Sequence, residues 1–328
     1  MAKSRSADSL LQVPNLGPGP GDLVDGRYLL KSQVGKGGFG TVFSALDQRT
    51  GDTVAVKMLQ PDAALDRSAR MLFDQEIEVP SHLRGVSGLV EIIDHGQDVN
   101  GVPYYTMPLL KGRSMFKARK GMPEQAVVNT LGRVLDTLEQ VHDRGVVHKD
   151  LKPDNIFLTQ DGPKVIDFGL AQIPWRPMLV AGGGTPGFMA PEQARGERVG
   201  PQADVYSMGA TAYDMLAGFP PAEKEKGQRC PNWPLSVMAP DVPKDIAGIV
   251  DRALECDPRK RYKDAGEMLK VLRPHVQDAI IRREAQTARP GVAAVSNGDS
   301  DLGTLAKVAA VMLLVGGGVG VAVALKRA

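Results

Sequence analysis

The hydrophobic period of this chain changes once, near Gly112, and that change restricts the fold more than any other feature. Upstream lie short β-type runs: Tyr28-Leu29-Leu30, Thr41-Val42-Phe43-Ser44-Ala45 and Thr53-Val54-Ala55-Val56-Lys57. Turn-forming residues from Asp47 to Asp52 separate the last two, which predicts a small antiparallel sheet. Downstream, Leu131, Val134, Leu135, Leu138 and Val141 recur at helical spacing behind a Pro123-Glu124 start, which predicts an amphipathic helix. Helical patterning continues to about Val276. The expectation is an α+β domain over 27–275, with a strand-rich lobe (27–108) before a larger helix-rich lobe (109–275). The sequence shows no internal repeat.

Composition narrows the class further. With 42% hydrophobic and 24% charged residues among 328, most of the chain is ordinary globular protein. Forty basic against 38 acidic residues leave a formal charge of +2, no broad footprint for nucleic acid. Cys230 and Cys256, the only cysteines, are too few for a disulfide framework and are expected as reduced thiols in a cytosolic body. Residues 1–26 mix Ser, Pro and Gly without an apolar run, so they are expected to form a disordered leader rather than a signal peptide. Residues 276–304 are expected as a linker. Val308 to Leu325 is free of charge between Lys307 and Lys326-Arg327, long enough for roughly 27 Å of helix. A transmembrane helix over 305–325 is expected, with a short tail at 326–328 and no sensor domain beyond it. Gly316 and Gly320 have the small-xxx-small spacing that lets two such helices pair, so a homodimer is an expected partner state.

Three clusters carry the chemistry. Gly35-Lys36-Gly37-Gly38-Phe39-Gly40-Thr41-Val42 lies between two β-runs with no helix after it, which disfavours both a Rossmann turn and a Walker loop. What fits is a hairpin over phosphates, where glycines let amides approach the oxygens. Val54-Ala55-Val56-Lys57 then ends an apolar strand in a lysine. His148-Lys149-Asp150-Leu151-Lys152-Pro153-Asp154-Asn155 is followed by Asp167-Phe168-Gly169 and later by Ala190-Pro191-Glu192. In this order the motifs match a known signature set. From about Arg27 to His275 the chain resembles the eukaryotic-type (Hanks-type) serine/threonine protein kinases, of the bacterial membrane-anchored kind.

The resemblance implies a bilobal kinase fold, ATP with Mg²⁺ or Mn²⁺ as cofactors, and protein Ser/Thr hydroxyls as substrates. The loop from Val34 to Gly40 would cover the phosphates, and Lys57 would hold their oxygens. Val42, Ala55 and Phe157 would sandwich the adenine, with Met107 behind it and Leu110 in the hinge run Tyr105-Thr106-Met107-Pro108-Leu109-Leu110. Asn155 and Asp167 would bind the metal, a hard cation suited to oxygen ligands. Asp150 would take or orient the proton of the attacking hydroxyl, and Lys152 would neutralise charge on the transferring group. Thr185 would sit beside both. Glu192 with Arg261, and Asp204 behind the catalytic loop, would be structural. A cytoplasmic kinase domain on a single-pass membrane anchor is the implied localisation.

Two departures stand out. Lys149 replaces the usual Arg, which captures a loop phosphate with a bidentate fork that Lys lacks. Between Leu170 and Gly184 there is no Ser, Thr or Tyr, so the phosphate acceptor is missing too. Pro80 stands four residues after Glu76, the expected partner of Lys57, so the helix is expected to kink or end near Val79, with Glu78 as a fallback partner. Two further readings stay open here. A pseudokinase scaffold is opposed by the joint presence of Lys57, Asp150, Asn155 and Asp167, and a small-molecule phosphotransferase by Ala190-Pro191-Glu192 and Asp204.

Overall fold

The structure, a computed structural model, describes residues 17–277 apart from 38–39, 176–182, 222, 226–227 and 232. The β-type runs become strands where expected: β1 (Leu23–Val24), β2 (Tyr28–Lys36), β3 (Gly40–Asp47) and β4 (Thr53–Leu59). Helices α1 (Pro61–Ala64) and α2 (Arg67–His82) follow, then β5 (Asp94–Gln97) and β6 (Pro103–Pro108). The six strands form one antiparallel sheet in the order β1-β2-β3-β4-β6-β5. Register fixes which side chains share a face. Val42 lies opposite Lys57, which lies opposite Tyr105, and Ala55 lies opposite Met107. Those residues line the cleft, while Phe43, Val56 and Met58 join Phe73 of α2 in the core of the small lobe.

The larger lobe begins with β7 (Gly112–Ser114), α3 (Met115–Ala118) and α4 (Glu124–Asp143), then β8 (Ile156–Thr159) and β9 (Gly162–Val165). It continues through α5 (Pro191–Ala194), α6 (Pro201–Ala217), the hairpin β10 (Glu223–Glu225) and β11 (Gln228–Pro231), α7 (Leu235–Met238), α8 (Lys244–Ala253) and α9 (Ala265–Leu272). The five apolar positions read from α4 are all buried. Helix α6 is buried along nearly its whole length from Ala203 to Met215, and Gly218, with φ +88°, caps it in a left-handed conformation that glycine adopts without strain. A Cβ on Gly132 of α4 would stand 2.7 Å from Val276, so the last described residues of the lobe are seated directly on α4.

Four expectations are corrected or fall outside the structure. The folded part begins upstream of Arg27, because Leu23 and Val24 pair with Leu29 and Tyr28 and the Gly21 amide donates to Leu30 O at 2.9 Å. Helix α2 runs through Pro80 to His82 instead of ending near Val79. Pro80 lies within its last turn, Ser81 Oγ donates to Ile77 O at 2.7 Å, and Leu83 N reaches Val79 O at 3.0 Å. The cysteine reading fails at Cys256, which is disulfide-bonded; sequence spacing carries no information on the Cα separation that decides bridging. Among the described residues no helix is long and apolar enough to cross a membrane, and the expected span over 305–325 lies outside the described residues, as do Gly316 and Gly320.

An ion-pair clamp closes the far edge of the sheet. Arg27 donates from Nε and Nη2 to Asp47 at 2.9 and 2.7 Å, and from Nη1 to Asp94 at 2.7 Å. The Arg27 hydrogen bonds hold the Asp47 carboxyl at about 2, against the cost of its burial. A free aspartate titrates near ~3.9, so this stabilisation is complete above that pH and is lost as the pH falls toward the depressed value. In urea unfolding, Asp47→Asn should cost about 2 kcal/mol near neutral pH, and the gap to wild type should close as the pH falls to about 2.

Candidate active site

The floor of the site is the loop between α4 and β8, held from below by one carboxylate. Buried Asp204 of α6 accepts the amides of His148 and Lys149, each at 2.8 Å, and the His142 ring Nε2–H at 3.0 Å. Burial opposes ionisation of Asp204, but the His142 hydrogen bond and these charges and amides keep its pKa below the ordinary aspartate value. His148 Nδ1 accepts the Asp150 amide at 3.3 Å, so its Nε2 carries the proton shared with Ile166 O at 3.1 Å. Lys149 (φ +69°) and Asp167 (φ +69°) take left-handed backbone conformations, of the kind concentrated where surrounding structure enforces a working geometry.

On this floor Asp150, Lys152 and Thr185 close a triangle. Lys152 Nζ lies 2.9 Å from Asp150 Oδ2 and 2.6 Å from Thr185 Oγ1, and the Thr185 hydroxyl donates to Asp150 Oδ1 at 2.7 Å. Asn155 donates to the Asp150 carbonyl at 2.8 Å and to its carboxylate at 3.2 Å, which fixes the orientation of the acid. A carboxylate able to accept a hydroxyl proton thus sits beside an ammonium able to offset negative charge. Glu192 and Arg261 pair in two parallel bonds of 2.7 and 2.9 Å; both are buried, and neither lines the cleft.

The roof comes from the sheet. A cleft of about 760 Å³ runs between the lobes, lined by Val34, Gly35, Lys36, Gly37, Val42, Ala55, Lys57, Met107, Leu110, Phe157 and Asp167. Gly38 and Phe39 lie outside the described residues. Glycine is sterically required at position 40, where a Cβ would stand 2.8 Å from Met58 O; at Gly35 and Gly37 nothing comes closer than 3.7 Å. Lys57 pairs with Glu76 of α2, so the expected partner holds despite Pro80, and Glu78 instead accepts from Trp175 Nε1 at 2.9 Å. Burial works against the Lys57 ammonium, and the Glu76 and Asp167 carboxylates more than reverse it, keeping its pKa above the ordinary lysine value.

The cleft fits a nucleotide and a metal. Its volume is that of a small-molecule site. Among the described residues the Leu110 amide has no protein partner, a free donor in the hinge beside the proline that lacks one. Asp167 presents its carboxylate to the cleft with no hydrogen bond from the described residues, and it acts electrostatically on Lys57 and Tyr105. Its unpaired carboxylate suits a hard cation that bridges phosphates, whereas Asn155, the other expected ligand, is not among the residues lining the cleft and bonds Asp150.

Comparison with known proteins agrees with this geometry. A family model described as protein kinase domain matches residues 28–271. The chain belongs to the protein kinase family. It is similar to the probable serine/threonine-protein kinase SCO3848 of Streptomyces coelicolor, 35% identical over 266 residues that cover 75% of this chain and 39% of that protein. Serine/threonine-protein kinase PknL of Mycobacterium tuberculosis is 33% identical over 257 residues, covering 74% of this chain and 64% of PknL. The solved PknI kinase domain of the same species superposes with a TM-score of 0.63 at 25% identity, covering 79% of this chain and all of that one. The kinase chain described here thus spans about two fifths of the length of the first curated relatives it matches.

Three residues of this kinase site carried no motif signal. Tyr105, read only as part of the hinge run, donates its hydroxyl to Glu76 at 2.7 Å and stacks on Phe73 at 5.2 Å. Gln193 donates to the carbonyls of Lys149 and Gly183, tying the floor to the segment that carries Thr185. Gln75, next to Glu76, reaches the Asp167-Phe168-Gly169 turn. The period-2 register of Tyr105 with Lys57 was the one available clue.

Proposed function

We propose that this chain is an ATP-dependent serine/threonine protein kinase, anchored in the cell membrane through Val308–Leu325 with its kinase domain on the cytoplasmic side. The observation that carries the activity is the triangle of Asp150, Lys152 and Thr185, which joins a proton acceptor, a charge-neutralising ammonium and a positioning hydroxyl in one hydrogen-bonded set. Asp150 orients the substrate hydroxyl and takes its proton, and Lys152 offsets the charge carried by the transferring group. Lys57, braced by Glu76, holds phosphate oxygens, and the Leu110 amide reads the base. Mg²⁺, held by Asp167 and Asn155, would supply charge neutralisation across the phosphates. The similarity to proteins named as serine/threonine kinases supports the choice of acceptor.

Incubation with labelled ATP and a generic basic protein separates the readings. Label on protein Ser or Thr is expected; ATP binding without transfer would favour a scaffold, and label only on a small molecule a different phosphotransferase. The anchor rests on the uncharged 308–325 run alone. The full chain should sediment with membranes, resist high salt and release into detergent, and Gly316→Ile with Gly320→Ile should lower its self-association in detergent. Recovery of the chain in the soluble fraction would remove the anchor from the proposal.

A further inference from the structure

Gln75 of α2 is 2% exposed, and its side chain reaches across to the Asp167-Phe168-Gly169 turn. Its Nε2 lies 3.2 Å from Phe168 O, 3.2 Å from Gly169 O and 2.5 Å from Ala171 O. The two N–H groups of this buried amide are thus shared among three carbonyls of one four-residue stretch, of which Phe168 O also accepts the Ala171 amide at 3.0 Å. The approach is close on both sides: a Cβ on Gly169 would stand 3.4 Å from the Glu76 side chain. On the outer side, Trp175 donates to Glu78 at 2.9 Å and stacks on His82 with ring centroids 4.0 Å apart. Every residue contacted on α2 lies within two turns of Glu76. Position of that helix therefore sets, through shared contacts, both the Lys57–Glu76 pair and the Asp167 turn.

The same segment lacks what commonly holds such a turn in place. Leu170 to Gly184 contains no hydroxyl that could carry phosphate, and Lys149, at 2% exposed, is withdrawn from the surface. We propose that Gln75 is a positioning residue that fastens α2 to the Asp167-Phe168-Gly169 turn, with Trp175 as its outer brace, so that the site is assembled without a phosphate on the loop. The inference rests on the kinase reading above and adds its regulation: the enzyme is constitutively assembled rather than switched by loop phosphorylation.

The test uses the full chain in detergent, with Gln75→Leu, which removes the donor, and Trp175→Phe, which keeps the ring and removes the N–H. Trp175 is 38% exposed, so its variant does not put folding at stake. Losing the buried donor leaves the Gly169 and Ala171 carbonyls without it, and we expect kcat for a peptide to fall about thirtyfold in Gln75→Leu and about threefold in Trp175→Phe. KM for the peptide and Kd for a non-hydrolysable ATP analogue should stay within about twofold, and because kcat is counted per molecule that binds the analogue, an unfolded fraction does not lower it. Deuterium uptake across residues 166–175 should rise in both. Phosphatase-treated wild type should start without a lag. Wild-type kcat in both variants, or a phosphatase-treated wild type that loses most of its rate and regains it on preincubation with ATP, would overturn the proposal. A wild type that transfers no phosphate at all would instead defeat the kinase reading.

Discussion

Asp150→Asn abolishes phosphoryl transfer almost completely while nucleotide binding persists. The asparagine is nearly isosteric, so it can still receive the Thr185 hydroxyl and remain within reach of Lys152 and Asn155. What it lacks is the basicity to take a proton and the charge that orients Lys152. General-base contributions are typically about 10²- to 10⁴-fold, and a loss of kcat at the upper end of that range is expected, with no compensating change in KM. Asp150 does not line the nucleotide end of the cleft, so the affinity for ATP should change by no more than about twofold. Steady-state assays beside calorimetric titration of an ATP analogue would check both halves. Substantial turnover by the variant would mean that another group receives the proton.

Asp167→Asn fails by a different route. Asp167 occupies a left-handed backbone conformation at φ +69°, which Asn tolerates as well as Asp, so the variant should fold. Its carboxylate, however, opens into the cleft without a hydrogen bond from the described residues and acts on the Lys57 ammonium. Replacing it with an amide removes the charge that a divalent cation needs. The expected result is that added Mg²⁺ no longer strengthens nucleotide binding, and that transfer drops by about three orders of magnitude. Titrating the analogue with and without Mg²⁺ isolates this effect. An undiminished response to Mg²⁺ would remove Asp167 from the metal site.

The contrast between the two variants reflects what a sequence can and cannot disclose. Asp150, Lys152, Asn155 and Asp167 were legible because each proposed role depends on one chemical group at a fixed spacing from its neighbours, and the floor beneath them follows from Asp204 at a recognisable place on α6. The strands and the α4 helix were legible through period alone. Gln75 was not, because its partners are backbone carbonyls 93 to 96 residues away, and backbone atoms leave no trace in residue identity. The Pro80 expectation failed for a related reason: the missing amide was visible, but its place in the last turn, with Leu83 N still reaching Val79 O, depended on local geometry. Cys256 likewise paired through tertiary proximity that its sequence position does not encode. Tyr105 lay between these cases, since its register with Lys57 follows from strand pairing once β4 and β6 are known to be neighbours.

The Asp150 triangle is proposed to transfer phosphate from ATP to protein hydroxyls. Mass spectrometry of the full chain and an added generic protein, after incubation with ATP and Mg²⁺, tests it most directly when wild type and Asp150→Asn are run in parallel. Wild type should yield phosphoserine or phosphothreonine on the added protein, with none formed by the variant, although both bind the ATP analogue. Equal phosphorylation by the two proteins, or none by a wild type that binds the analogue, would contradict the account.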